Sequence, residues 1–176
     1  MHCYEQTNKL NSIIKIIITG GTFDKEYNEI SGKLYSQNTH MYELLELGCC
    51  KAEVTIATLM IIDSMEMTPD ERNYVIQKCL DEPIKQIVIT HGTDTMVETA
   101  HQLADTIENK TIVLASAMIP FKFSSSDGLF NMGSSLSYVQ ALSKGIYISM
   151  NDCILDWRNV CKKIKLGIIE ELETAK

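Results

Sequence analysis

No two of the six cysteines (Cys3, Cys49, Cys50, Cys79, Cys153 and Cys161) stand in C-x-x-C spacing, and Cys49 and Cys50 are adjacent. Paired thiolates that could reach one zinc ion are therefore missing, and the expectation is small buried side chains in a reducing compartment. No basic run interrupts a chain of net charge −7. Neutralising phosphates needs clustered Lys and Arg, so nucleic acid is excluded as a partner class. The longest apolar opening, IIKIIIT, is too short to cross a bilayer and is stopped by Gly20-Gly21. The polar start, MHCYEQTNKLNS, lacks the basic flank and cleavage site of a secretory signal, so a cytoplasmic protein with no membrane partner is expected. Neither G-x-G-x-x-G nor G-x-x-x-x-G-K-[ST] occurs, which leaves Ser124-Ser125-Ser126 as the remaining phosphate candidate.

What is present is an ordinary globular composition, 45% hydrophobic and 22% charged over 176 residues, enough for one domain with a sizeable core. Continuous apolar runs recur at Lys15–Thr19, Ala52–Met60, Gln86–Thr90, Thr111–Met118 and Gly145–Met150. Such runs suit strands covered on both faces. Helical patterns separate them. The first, His40–Gly48, stops on glycine. The second opens with Thr68-Pro69-Asp70-Glu71, a capping box with proline in the first turn. The third begins near Thr95 and the fourth runs from about Ser126 to Lys144. The alternation predicts an α/β fold: a doubly wound parallel sheet, flavodoxin-like and three-layered, in a single domain spanning 1–176. Its core would be 14–152, with 153–176 as a tail. NDCILDWRNVCK reads as a short hairpin or a crossover.

Ligands of such sheets collect beyond the carboxyl ends of the strands. Those ends are Thr19-Gly20-Gly21-Thr22, Asp63-Ser64, His91-Gly92-Thr93-Asp94, Ser116-Ala117-Met118 and Asn151-Asp152. Hydroxyls and carboxylates dominate. A threonine hydroxyl becomes a nucleophile when a neighbouring group takes its proton, and Gly-rich turns offer backbone N–H groups for a developing oxyanion. That combination points to acyl transfer. Each residue also has a plainer reading. Thr93 and Asp94 could cap the following helix, although Thr95 and Glu98 already form a capping box there. Ser64 could be a turn hydroxyl and His91 a packed turn histidine. Tyr27 and Tyr35 sit in a polar loop, and Lys162 beside Lys163 reads as a solvated face.

Taken in order, TGGT at 19–22, DSMEMTPDE at 63–71, HGTDTMVETA at 91–100, ASAMIP at 115–120, SSDGLFN at 125–131 and MNDCILDWRNVCK at 150–162 resemble the N-terminal domain of the bacterial-type L-asparaginase/glutaminase family. The resemblance implies an amidohydrolase that converts L-asparagine, with L-glutamine as a further substrate, through a threonine acyl-enzyme and without metal or organic cofactor. It makes Thr22 the nucleophile, with Tyr27 (Tyr35 in reserve) as the loop tyrosine that activates it. Thr93, Asp94 and Lys162 become a second set that activates water. Asp94 would hold the substrate ammonium, and Ser64 its α-carboxylate. The Thr93 N–H would face the oxyanion and the Ala117 carbonyl would accept from the amide nitrogen. Gly21 joins the substrate-binding positions.

Several positions depart from the family pattern. Met65 stands where relatives place a polar residue that holds substrate; Ile119, Asn159 and Cys161 replace Arg, Asp and Thr. Family members also carry a second domain that completes the site from a neighbouring subunit. The resemblance therefore implies a homodimer or homotetramer in which another copy, through its 163–176 tail, covers the pocket. The contrasting expectation is a catalytically weak amino-acid-binding or regulatory protein of the same fold.

Overall fold

The computed structural model describes residues 13–163 and 168–172. Its central sheet has six strands: β1 (Ile14–Gly20), β4 (Val54–Ile62), β5 (Gln86–Thr90), β6 (Thr111–Ala115), β7 (Gly145–Met150) and β8 (Cys153–Asp156), in the spatial order β4-β1-β5-β6-β7-β8. All neighbours are parallel except β7 and β8. Setting β8 aside, this is the flavodoxin-type order, and its direction reverses between β1 and β5.

Period-two side chains feed two cores. Ile17, Ile87, Ile89, Ile112 and Leu114 face one way, against Val75, Ile76 and Cys79 of α2 (Pro69–Asp81) and Met96, Ala100 and Leu103 of α3 (Met96–Thr106). Ile16, Ile18, Val88 and Val113 face the other way, against Met41 and Leu44 of α1 (Met41–Leu47) and Met132, Leu136 and Val139 of α4 (Gly128–Ala141). The expected three layers are present, for the physical reason given: strands covered on both sides carry no polar alternation.

The boundaries differ in instructive ways. The Thr68–Glu71 capping box forms as expected. α1 stops near Gly48, but Gly48 has φ −74° and Cys49 takes the left-handed position with φ 49°. The Cys49 and Cys50 N–H groups donate to the Glu46 and Leu45 carbonyls, a complete Schellman closure built on a residue with a Cβ. Gly48 stands one position earlier, where a Cβ would lie 3.1 Å from Leu129 Cδ1, the end of a half-buried side chain. The expectation of buried cysteines holds for Cys79 alone: Cys49 and Cys153 are exposed, Cys50 and Cys161 half-buried, and Cys3 lies outside the described residues.

Two hairpins were not legible as strands. β2 (Lys25–Asn28) and β3 (Lys33–Ser36) pair antiparallel where a polar loop was expected. NDCILDWRNVCK is a hairpin and not a crossover: Asn151 and Asp152, at φ 51° and 61°, form a two-residue turn that folds β8 back onto β7. The chain then continues through a 3-10 turn, Trp157–Asn159, into β9 (Val160–Lys163), which pairs with β10 (Ile168–Glu171). Trp157, Val160 and Ile169 pack on the α3 side of the core, and Trp157 meets His101 edge-on at 5.1 Å. This packing returns β9, with Lys162, to the carboxyl end of β5.

Candidate active site

The switch between β1 and β5 is built on glycine because two turns touch there. Gly21 has φ 93°, and a Cβ on it would sit 2.7 Å from the His91 carbonyl and the Gly92 nitrogen. A Cβ on Gly92 would sit 2.3 Å from Ser64 Oγ. The TGGT and HGTD turns are thus in backbone contact and the Ser64 side chain packs on Gly92, with Thr22 and Thr93 each one residue from the point where the two turns meet. Below this point Thr19 Oγ1 donates to the Thr90 carbonyl at 2.7 Å, tying the two strand ends.

Lys162 crosses this rim. Its ammonium donates to Thr93 Oγ1 at 2.8 Å and to Asp94 Oδ1 at 2.6 Å. Thr93 is buried, while Asp94 presents 42% of its side chain to solvent. Ser64 is buried, and its Oγ has no hydrogen-bond partner among the described residues. A buried hydroxyl left unpaired at a strand end is costly, and such cost is common where a ligand completes the bonding.

Other groups pin the rim. Thr95, expected to cap α3 with Glu98, makes no capping hydrogen bond. Its Oγ1 donates instead to the Ser64 carbonyl at 3.0 Å, and Glu98 pairs with Arg72 at 3.3 Å. Tertiary partners outbid the local cap. His91 fits its plainer reading. Nδ1 donates to the Gly92 carbonyl and Nε2 accepts from Thr99 Oγ1, both at 2.9 Å, while Arg72 donates to the same Thr99 oxygen. Burial pulls the imidazole down to about 4, and the Arg72 charge adds to that, so the ring is neutral.

The Ala117 turn is held from behind. Asp127 accepts from the Met118 and Ile119 N–H groups, and Asn131 donates to the Ser116 carbonyl while accepting from the Asn151 N–H. Neither residue was given a role from sequence, although both lie in SSDGLFN; an acid at a helix start was the available signal.

The candidate tyrosines stand on the β2–β3 hairpin. Tyr27 is 55% exposed, and its hydroxyl lies 4.0 Å from where a Cβ on Gly32 would stand, at the hairpin tip. The Tyr35 hydroxyl donates to Glu26 at 3.2 Å, and that bond raises its pKa. The foot of the hairpin is fixed: Asp24 accepts from Thr39 Oγ1 and the His40 N–H, both at 3.0 Å. Burial raises the Asp24 carboxyl despite these bonds. One rim pair was missed from sequence: Lys25 Nζ lies 2.6 Å from Asp63 Oδ2, with Asp63 adjacent to Ser64. Part of the expected covering tail, 164–167 and 173–176, lies outside the described residues.

The model of the family described as "Asparaginase, N-terminal" matches residues 13–165. L-asparaginase 2 of Escherichia coli is 42% identical over 79 residues, covering 43% of this chain and 23% of the relative. The crystal structure of the probable cytoplasmic L-asparaginase of Campylobacter jejuni superposes with TM-score 0.77 at 30% identity, over 91% of this chain and 53% of that one. The thermostable L-asparaginase of Thermococcus kodakarensis shares the fold, with TM-score 0.79 at 23% identity over 93% and 52% of the two chains. The chain thus spans about half the length of these solved relatives or less of the curated one. No helix among the described residues is long and apolar enough to cross a membrane.

Proposed function

Because the chain belongs to the asparaginase N-terminal family, we propose that it hydrolyses the side-chain amide of L-asparagine to L-aspartate and ammonia. The observation that carries this reading is Lys162 joined to both Thr93 and Asp94 at the mouth of β5. Nothing in local structure requires that convergence, since the residues are 69 and 68 positions apart.

In the first half-reaction Thr22 Oγ attacks the amide carbon. The C–O bond forms, the C–N bond breaks, and the hydroxyl proton leaves with the amide nitrogen as ammonia. The Thr93 N–H faces the developing oxyanion, Gly21 shapes the same wall, and the Ala117 carbonyl accepts from the departing nitrogen. In the second half-reaction water attacks the β-aspartyl ester, with Thr93 Oγ and Lys162 Nζ as the route for its proton. Asp94 and Ser64 hold the α-ammonium and α-carboxylate. Tyr27, on the hairpin that follows Thr22, is the tyrosine that activates the nucleophile, and Tyr35 is the reserve. The residues invoked need no metal or organic cofactor. L-Glutamine is the second substrate to assay.

In this reading residues 1–176 act as one domain in the cytoplasm; the Campylobacter jejuni relative is titled a probable cytoplasmic L-asparaginase. Asp94 opens to solvent in one copy, which supports a homodimer or homotetramer whose second copy covers the pocket. A monomer by light scattering with full activity overturns that part.

Purified protein, with Thr22→Ala and Thr93→Val beside it, tests the chemistry by ammonia release from millimolar L-asparagine. Release by the wild type and loss in both variants is expected. The exposed Met65, where a polar substrate-holding residue was expected, favours the second reading, a binding or regulatory protein. Aspartate binding with no ammonia release would establish that one instead.

A further inference from the structure

The Lys25–Asp63 pair is the charged part of the rim that the proposed reaction leaves unused. Lys25 closes the 3-10 turn Thr22–Asp24, and its N–H donates to the Thr22 carbonyl. Lys25 thus opens β2 three residues after Thr22, directly beyond the TGGT turn. Its ammonium lies 2.6 Å from Asp63 Oδ2, and Asp63 Oδ1 accepts from the Met65 N–H at 3.0 Å. The bond from Lys25 is the largest cause holding the Asp63 carboxyl below its usual range; the Met65 N–H and the charges of Lys25 and Lys162 add to it. The two ion pairs of the rim therefore share one field around Ser64.

Stability gives little reason for this pair. Its side chains are 26% and 34% exposed, and pairs so placed contribute about 0–1 kcal/mol. Ligand chemistry gives a better one. A zwitterionic substrate brings a carboxylate that wants a cation, yet Ser64 offers only a neutral hydroxyl and Met65 a thioether. Lys162 is already engaged by Thr93 and Asp94. Asp63 takes one of the three Lys25 donors, and the other two have no side-chain partner among the described residues.

We propose that Lys25 is a specificity-determining residue that binds the α-carboxylate of the amino-acid ligand, with Asp63 aiming its ammonium across Ser64. This rests on the reading of the site as an asparagine amidohydrolase and restricts its ligands to those with a free carboxylate beside the amine. Such a residue takes over the hold that Met65 cannot supply.

Calorimetry with L-aspartate and with β-alanine, which is aspartate without its α-carboxylate, tests this on wild type, Lys25→Met and Lys25→Arg. A lost charge-assisted contact should weaken L-aspartate about tenfold in Lys25→Met, with most of it restored by Lys25→Arg. β-Alanine should change by no more than about twofold, since it never makes that contact. For L-asparagine turnover the same variant should raise KM far more than it lowers kcat. Equal weakening of both ligands would make Lys25 a loop anchor only and overturn the proposal, as would unchanged aspartate affinity or a wild type that binds no aspartate. Absence of ammonia release from the wild type refutes the amidohydrolase reading instead, and leaves the calorimetric comparison standing as the measure of Lys25.

Discussion

Lys162 Nζ and Thr93 Oγ1 lie 2.8 Å apart although 69 residues separate them in the chain. The contact exists because the β8 turn, the 3-10 turn at Trp157 and the packing of β9 on α3 return the chain to the end of β5. Replacing Lys162 by Met should lower asparagine turnover by at least ~100-fold, the usual scale for a proton-transferring group. The fold should survive, since Asp94 stays partly solvated and the lost pair is worth about 1 kcal/mol or less after solvent screening. Ammonia release and thermal unfolding on the same sample check both halves. A Lys162→Met protein that keeps half its activity sinks the proposed water-activating role.

His91 makes stability pH-dependent with a definite sign. Its folded pKa is lowered from 6.5 to about 4 by burial, so the unfolded chain binds the proton more readily between those values. The full contribution is present above pH 6.5 and is lost as pH falls toward about 4. Between pH 7 and pH 4.5 this amounts to roughly 2–3 kcal/mol. Denaturant titrations of wild type and His91→Gln at both pH values isolate it, because other groups such as Asp24 titrate alike in the two proteins. An equal pH dependence of both proteins would show that His91 is not buried neutral.

Much of this arrangement was legible because strands buried on both faces have no polar alternation, and because the switch between β1 and β5 names its own loops. The hairpin at Lys25–Ser36 was not, since KEYN and KLYS are four residues each, mix charged with apolar side chains, and are too short to give a periodic signal. Thr95 was misread because a local capping pattern cannot reveal that the Ser64 carbonyl is nearby. Lys25 and Asp63, 38 residues apart, carry no spacing rule at all; only the fold pairs them. The β8 turn stayed ambiguous because its second position is Asp where glycine would have announced it.

The α1 stop offers a stability test away from the site. Cys49 bears a Cβ at φ 49°, a left-handed conformation that glycine adopts freely. Cys49→Gly should stabilise the protein by about 0.5–1 kcal/mol, seen as a higher denaturation midpoint with unchanged slope. A destabilised Cys49→Gly protein would mean that the Cys49 side chain contributes more than its backbone costs.

Gly21 ties stability to chemistry most directly. Adding a Cβ there places it 2.7 Å from the His91 carbonyl and the Gly92 nitrogen, on a backbone at φ 93°. The neighbours are backbone, so neither turn can yield by rotating a side chain. One turn must move, and with it Thr22 or Thr93. Gly21→Ala should lose about 2 kcal/mol of stability and, because displacements near 1 Å can cost ~100-fold, most of its turnover. Gly133→Ala on α4 is the matched control. Its Cβ meets nothing within 4 Å, so helix propensity alone should raise stability by about 0.5–1 kcal/mol. Activity retained in Gly21→Ala at a stability cost would show that the reacting groups do not depend on the TGGT–HGTD contact, and the proposal that Thr22 and Thr93 act on one amide would have to be abandoned.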